Sequence, residues 1–158
     1  MVATDARETL IGTRPVRPDG VAKVTGRAIY GADYRTTGLL YGRVKRSPHA
    51  HARIKSIDTS KAAALPGVKA VITAADFPDF GDRTHQTYRG VEPLSWLTDR
   101  IIARETALHR GHAVAAVAAT DLHVAEDAME LIEVEYEVLQ PVLSVRQALD
   151  PDAPLLFD

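Results

Sequence analysis

An α+β fold with a mixed, mainly antiparallel sheet and two or three helices is the class this sequence predicts, on three observations. Short apolar runs with period two recur along the chain, only two segments have helical spacing, and the links are too short for repeated βαβ crossovers. The 158 residues are 46% hydrophobic, 25% charged and 6% aromatic, the make-up of a soluble globular domain. A chain this long buries roughly two-thirds of its unfolded surface, enough for one core without a covalent staple.

Met1 to Glu8 has neither the basic opening nor the apolar run of a secretory signal, and no stretch approaches the ~20 apolar residues that cross a bilayer. A cytoplasmic protein is expected. Nineteen Lys and Arg against twenty-one Asp and Glu leave a charge of −2, without the positive field that holds nucleic acid or an anionic membrane. With no cysteine, the chain has no disulfide, no thiolate nucleophile and no thiolate ligand for an iron-sulfur cluster.

Residues 1–26 read as an extended N-terminal arm, since Pro15, Pro18, Gly12 and Gly20 interrupt any apolar period. Arg27–Tyr34 and Leu39–Arg46 read as an antiparallel strand pair around Arg35-Thr36-Thr37-Gly38. In the second, Leu40, Gly42 and Val44 alternate with Tyr41, Arg43 and Lys45. His51–Ile57 follows as a strand, and Asp58-Thr59-Ser60 offers caps to a short helix over Lys61–Leu65 that Pro66-Gly67 ends. Val68–Thr73 is expected as a short buried strand, and Phe77–Leu97 as a long irregular loop of the kind that carries function.

Ala113–Ala119, unbroken and apolar, predicts a fully buried strand. From Asp121 to about Ile132 the spacing predicts a helix burying Leu122, Ala125, Met129 and Ile132. Glu133–Val138 then alternates strictly, with Val134, Tyr136 and Val138 inward. The domain is thus expected over 27–140. Residues 141–158 form a Pro-rich C-terminal linker, and its Leu155-Leu156-Phe157 suggests docking on, or continuation into, further domains.

His49 and His51 at alternate positions could bind zinc, the basis of one reading as a small zinc enzyme; lacking a third close ligand, they read better as a strand-edge turn. His109, Gly111 and His112 could offer backbone amides to a cofactor, but a turn with positive φ explains Gly111 better. Glu133, Glu135 and Glu137 could form an acid/base pair, and read better as a solvated strand face. Asp33 and Asp76 have no visible base or nucleophile partner, so no catalytic residue and no metal ligand is assigned. No nucleotide-binding glycine motif or zinc-hydrolase motif occurs. Trp96, the only tryptophan, lies between Leu94 and Leu97 in the irregular stretch, where it could wall an apolar channel or anchor the loop.

Three segments carry a family resemblance: Gly26-Arg27-Ala28-Ile29-Tyr30-Gly31-Ala32-Asp33, Arg46-Ser47-Pro48-His49-Ala50-His51-Ala52-Arg53-Ile54 and Ala64-Leu65-Pro66-Gly67-Val68. In order and spacing they resemble the N-terminal α/β-hammerhead domain of the xanthine dehydrogenase / aldehyde oxidase family. Arg110–Val117 and Ala125–Ala128 through Val134–Leu139 add to the similarity, which runs from about Ile11 to Phe157. The Arg46–Ile54 stretch is most similar to large subunits of the 4-hydroxybenzoyl-CoA reductase and carbon monoxide dehydrogenase type. Ala113 stands where the family usually has Pro, which implies a looser turn.

The resemblance implies the hammerhead portion of an oxidoreductase large subunit that acts on aldehydes or aromatic heterocycles at a molybdenum-pterin cofactor. That cofactor would be held by molybdenum-cofactor domains of the large subunit, with iron-sulfur and FAD centres on partner domains or subunits. This chain alone would bind none of them and would be inactive. The resemblance also implies an aromatic beside the substrate funnel just before Asp99-Arg100-Ile101, which points to Trp96 with Leu94 as substrate-channel residues. The alternative is a free-standing, non-catalytic interaction or assembly module.

Overall fold

The computed structural model describes Gly12, residues 14–87 and residues 90–156. The chain divides into two compact units, Met1–Thr37 and Gly38–Asp158. In the first, the expected extended arm instead contains a helix, α1 (Gly20–Val24), braced by ion pairs from Arg17 and Lys23 to Asp19. The rest of the arm, residues 1–11 and 13, lies outside the described residues. No strand forms over Arg27–Tyr34, which corrects the expected pairing with residues 39–46. Asp33 accepts the Tyr30 amide at 3.1 Å and closes a 3-10 turn over Gly31–Asp33, while Arg35 donates to the Ala32 and Tyr34 carbonyls. Such local side-chain bonds compete directly with a strand ladder.

The second unit contains β1 (Tyr41–Arg46), β2 (Ala52–Asp58), α2 (Ser60–Ala64), β3 (Val68–Thr73), β4 (Thr84–Thr87), β5 (Gly90–Pro93) and α3 (Leu94–Ile101). It continues with β6 (Thr106–Ala107), β7 (Ala113–Ala119), α4 (Leu122–Glu130), β8 (Glu133–Val138) and α5 (Val145–Ala148). Five helices are therefore present among the described residues, against the two or three expected, but only α3 and α4 reach eight residues. α5 lies inside the stretch read as a linker.

Two three-stranded antiparallel sheets, ordered β1-β7-β3 and β6-β2-β8, make the scaffold. β7 is central and buried because its Ala and Val side chains are small enough to be covered on both faces. β3, expected to be buried, is an edge strand with Ile72 38% exposed. The core lies between β7 and the helices α2 and α4, where Ala62, Ala115, Val117, Ala128 and Ile132 meet. Asp121 caps α4 by accepting the His123 and Val124 amides.

On β1 the face turned to α4 carries Arg43 and Lys45 rather than Val44. Their aliphatic stems cover the sheet and their heads pair with Glu126 at 2.7 Å and Glu130 at 3.8 Å. On β8, Val134 and Tyr136 are partly buried as expected, but Val138 at the strand end is 63% exposed.

The stretch read as an irregular loop holds the β4–β5 hairpin and the start of α3. Thr84, His85, Gln86 and Thr87 have no apolar alternation, so the hairpin shows no sequence period; its turn residues, Tyr88 and Arg89, lie outside the described residues.

Candidate functional site

The links β1–β2 and β6–β7 both carry the chain between the two main sheets, and they lie against each other. Ser47 donates its amide to the His112 carbonyl at 2.8 Å, Gly111 donates to the Ser47 carbonyl at 2.8 Å, and Arg46 Nη1 donates to the Gly111 carbonyl. Gly111 has φ +87°, so the turn explanation for this glycine holds, and its amide is committed to Ser47. The His112 amide is likewise taken, by the His109 carbonyl.

This junction fixes the segment that follows α3. Ala103 donates to the Ala113 carbonyl at 2.8 Å, and Ile102 and Ala103 are buried. At the other end, Leu94 donates its amide to the Arg83 carbonyl at 2.8 Å. Main-chain hydrogen bonds therefore hold both ends of α3, to Arg83 at the foot of the β4–β5 hairpin before it and to β7 after it.

Beside α3 lies a cleft of about 500 Å3 bounded by Trp96, Asp79, Asp99, Arg104, Glu105 and Leu156, among others. A second hollow of about 410 Å3 shares Leu108 and Leu156 with it and is bounded otherwise by Arg100, His109 and His112. The Arg100 guanidinium carbon sits 3.5 Å from the centre of the Trp96 ring, a cation–π arrangement that braces the indole. Trp96 thus borders the larger cleft, whereas Leu94 lines neither space. Phe157 lies outside the described residues, while Leu156 lines both spaces.

The two spaces differ in charge. In the larger, burial raises the Asp99 carboxyl above its ordinary value, Arg104 at 3.9 Å partly opposing this, and Asp79 and Glu105 add further acid. In the smaller, His112 is only 2% exposed, with His109 stacked over it at 4.7 Å. Its Nδ1 accepts the Leu108 amide at 3.2 Å, so in the neutral ring Nε2 carries the proton. Among the described residues no group meets Nε2 in hydrogen-bond geometry.

Burial and the neighbouring His109 lower the His112 pKa, against weaker opposition from the Asp99 main chain and carboxylate. A neutral buried histidine means that the unfolded chain binds the proton more readily than the folded one, so stability falls as pH drops. The thermal unfolding midpoint is expected to decline from about pH 6.5 downward, before most carboxylates titrate. A His112→Gln variant followed by calorimetry should lack that part of the slope.

The other residues singled out in the sequence lie elsewhere. The His49 ring meets Tyr136 edge-on at 5.1 Å, whereas His51 Nδ1 lies 3.1 Å from the Gln140 carbonyl, so the two imidazoles serve different partners. Among the described residues no three His, Asp or Glu side chains come together as a metal site. Asp33 and Asp76 each cap their own 3-10 turn. The Glu row on β8 forms ion pairs, Glu137 with Arg53 at 3.0 Å, Glu135 with Lys55 at 4.0 Å and Glu133 with Lys61. Sequence reasoning missed Arg100 and Arg104. The four-residue step from Trp96 to Arg100, which puts both on one helical face, was the available signal.

Comparison with known proteins agrees with this architecture. Residues 25–140 match the family model described as aldehyde oxidase and xanthine dehydrogenase, a/b hammerhead domain. The carbon monoxide dehydrogenase large chain of Afipia carboxidovorans is 43% identical over 146 residues, 92% of this chain and 17% of that one. The xanthine dehydrogenase molybdenum-binding subunit of Escherichia coli is 39% identical over 140 residues, 87% of this chain and 18% of that one.

Among solved structures, a Cu,Mo-CO dehydrogenase aligns over 92% of this chain and 18% of its own, with a TM-score of 0.76 and 44% identity. The aldehyde oxidoreductase of Desulfovibrio desulfuricans aligns over 88% of this chain and 16% of its own, with a TM-score of 0.74 and 31% identity. The chain therefore spans under one-fifth of the length of these relatives. With its two sheets joined at a double crossing and its sequence matched from residue 25 to 140, the chain belongs to the a/b hammerhead domain family of aldehyde oxidases and xanthine dehydrogenases.

Proposed function

We propose that this chain is the hammerhead portion of a molybdenum-pterin oxidoreductase large subunit that acts on aldehydes or aromatic heterocycles. Its role is structural, and α3 borders the path by which substrate reaches a reaction centre held outside these residues. The observation that carries the reading is Trp96, an aromatic wall on a helix pinned at both ends, facing an open cleft of about 500 Å3. Leu94 seats the start of that helix. A free-standing assembly module is not favoured, because relatives matched over about nine-tenths of this chain are oxidoreductase chains or subunits.

The residues of the cleft do not fit a large anionic cofactor. Asp79, Asp99 and Glu105 face it against Arg104, and this excess of acid repels phosphate-bearing groups. The pterin and its metal therefore belong to the molybdenum-cofactor domains of the large subunit, and the iron-sulfur and FAD centres to partner domains or subunits. The relatives' names point the same way: one is a Cu,Mo-CO dehydrogenase, another a molybdenum-binding subunit of xanthine dehydrogenase, another belongs to a dehydrogenase complex. No helix among the described residues is long and apolar enough to cross a membrane, and we place the assembled enzyme in the cytoplasm.

Trp96→Ala in the assembled enzyme is the test. Loss of an aromatic wall is expected to raise KM by about tenfold with a smaller change in kcat, whereas Leu94→Ala leaves KM near its original value. Unchanged KM for Trp96→Ala across aldehyde and heterocycle substrates would remove Trp96 from the substrate path.

A further inference from the structure

An antiparallel sheet in a soluble domain ordinarily packs one apolar face on the core and turns a polar face to water. The β1-β7-β3 sheet is sorted differently. The helices that pack on these strands, α2 and α4, lie over the face that holds Ala115 and Val117, and that face also carries the basic pair Arg43 and Lys45. By alternation along each strand, the opposite face carries Gly42 and Val44 of β1, Ala116 and Ala118 of β7, and Ala70 and Ile72 of β3. None of them is polar. We propose that this face is a docking surface for the apolar side of one helix, supplied by the molybdenum-cofactor domains of the large subunit. The proposal rests on the reading of the chain as the hammerhead portion of such a subunit, and it names a contact that joins the two.

The strand register gathers these residues into one patch. Val44, Ala116 and Ile72 lie in a row across the sheet, and Gly42, Ala118 and Ala70 lie in the next. The patch is open: Val44 is 37% and Ile72 38% exposed, and a Cβ added at Gly42 would meet nothing closer than the Val117 carbonyl oxygen at 3.9 Å. Along β7, Val114 is buried whereas Ala116 and Ala118 are only partly so. A strand as uniformly apolar as β7 suits cover on both faces, and here the second cover is incomplete.

Shape, area and length select the occupant. Three strands about 4.8 Å apart match the width of one helix, about 10–12 Å with its side chains. The alanines of the centre strand project less than Val44 and Ile72 on the flanks, which leaves a shallow trough for a convex surface. In plan the patch measures about 200 Å2, against the roughly 800 Å2 per partner of a stable interface between separate proteins. A second copy of this chain would not stay bound through so small a contact, whereas a domain of the same polypeptide docks at high effective concentration. More than four-fifths of the carbon monoxide dehydrogenase large chain and of the xanthine dehydrogenase molybdenum-binding subunit lies beyond the part matched here. Subunits of that kind have ample chain to supply the helix.

The chain has no cysteine, so an introduced thiol reports on the face without background from its own sequence. Val44→Cys and Ile72→Cys are compared with His123→Cys, at an exposed side chain on α4 over the other face. Each is treated with a maleimide, once in the chain purified alone and once in the native complex captured through it, and labelling is read at that residue by mass spectrometry. Thiol reactivity follows exposure, so Val44→Cys and Ile72→Cys should label about tenfold more slowly in the complex, with His123→Cys unchanged. A photo-crosslinker attached at Ile72→Cys then identifies the cover, and the joined peptide should belong to the molybdenum-cofactor domains. Gly42→Val supplies an independent measurement. The solitary chain should melt at the same temperature or higher, because the added side chain enters open space on a strand. In the complex it meets the docked helix, and the half-life at a fixed elevated temperature should fall by about tenfold.

A crosslink to a second copy, to a partner subunit or to this chain's own residues 1–37 would overturn the proposal, as would a Gly42→Val complex as long-lived as the original. Equal labelling of the face in both states, in a complex that holds molybdenum, would reject the docking surface and leave the proposed function standing. A complex without molybdenum would reject both.

Discussion

Replacing Ile132 by alanine is expected to destabilise the Gly38–Asp158 unit by about 2–5 kcal/mol, a large share of the roughly 5–15 kcal/mol that holds a typical domain folded. Ile132 is 2% exposed and packs in the cluster formed by Ala62, Ala115, Val117 and Ala128. Alanine and valine have little freedom to move into a vacated space, so the cavity stays open and its cost adds to the lost burial. Leu131, the preceding residue, is 36% exposed, and Leu131→Ala should cost less than about 1 kcal/mol. Urea unfolding of the two variants checks the contrast. The midpoint should fall steeply for the first and slightly for the second, at an unchanged denaturant slope.

Gly67→Ala is the second large effect, expected at about 1–3 kcal/mol. Gly67 has φ +98°, a conformation that side-chain-bearing residues avoid, so strain arises whatever the surrounding space. Space is also short. An added Cβ would lie 3.2 Å from both Thr120 Oγ1 and Val124 Cγ1, at the point where Gly67 accepts the Thr120 amide. The α2–β3 turn would have to shift away from the start of α4. Gly81 provides the comparison: its φ of +50° lies in the left-handed region, yet no described atom lies within 4 Å of an added Cβ. Gly81→Asn should be nearly neutral, since Asn tolerates that conformation, whereas Gly67→Asn should remain costly because its Cβ meets the same atoms. Thermal melts of the four proteins would separate backbone strain from steric contact.

The elements most legible in the sequence were those whose burial is continuous. β7 was readable because seven successive small apolar residues suit only a covered strand, and α4 because Asp121 and the apolar spacing after it agree. β8 was readable from strict alternation, although its last residue, Val138, emerges at the sheet margin. The failures have local causes. Asp33 and Arg35 tie up the backbone of a segment whose alternation imitates a strand. In β1 the alternation was visible but not which set faces the helix, because the covered face carries two basic residues, Arg43 and Lys45. The β4–β5 hairpin is polar throughout, and α3 is short, so neither produced a period strong enough to register.

At the candidate site, the tryptophan was visible and its surroundings were not. Trp96 drew notice as the only residue of its type, but Arg104 and Glu105 join it from beyond the end of α3, and Asp79 from the far side of the hairpin. Contacts across such separations depend on where the two sheets cross, which no local pattern encodes. His112 was noted for its glycine neighbour, while its burial follows from the Ser47 junction on a distant link.

The central claim is that these residues support a reaction whose metal is held elsewhere. Molybdenum content of the native complex captured through this chain tests it most directly, with the chain purified alone measured in parallel. Stoichiometric molybdenum in the complex and none on the solitary chain is the predicted result; a captured complex devoid of molybdenum would contradict the account.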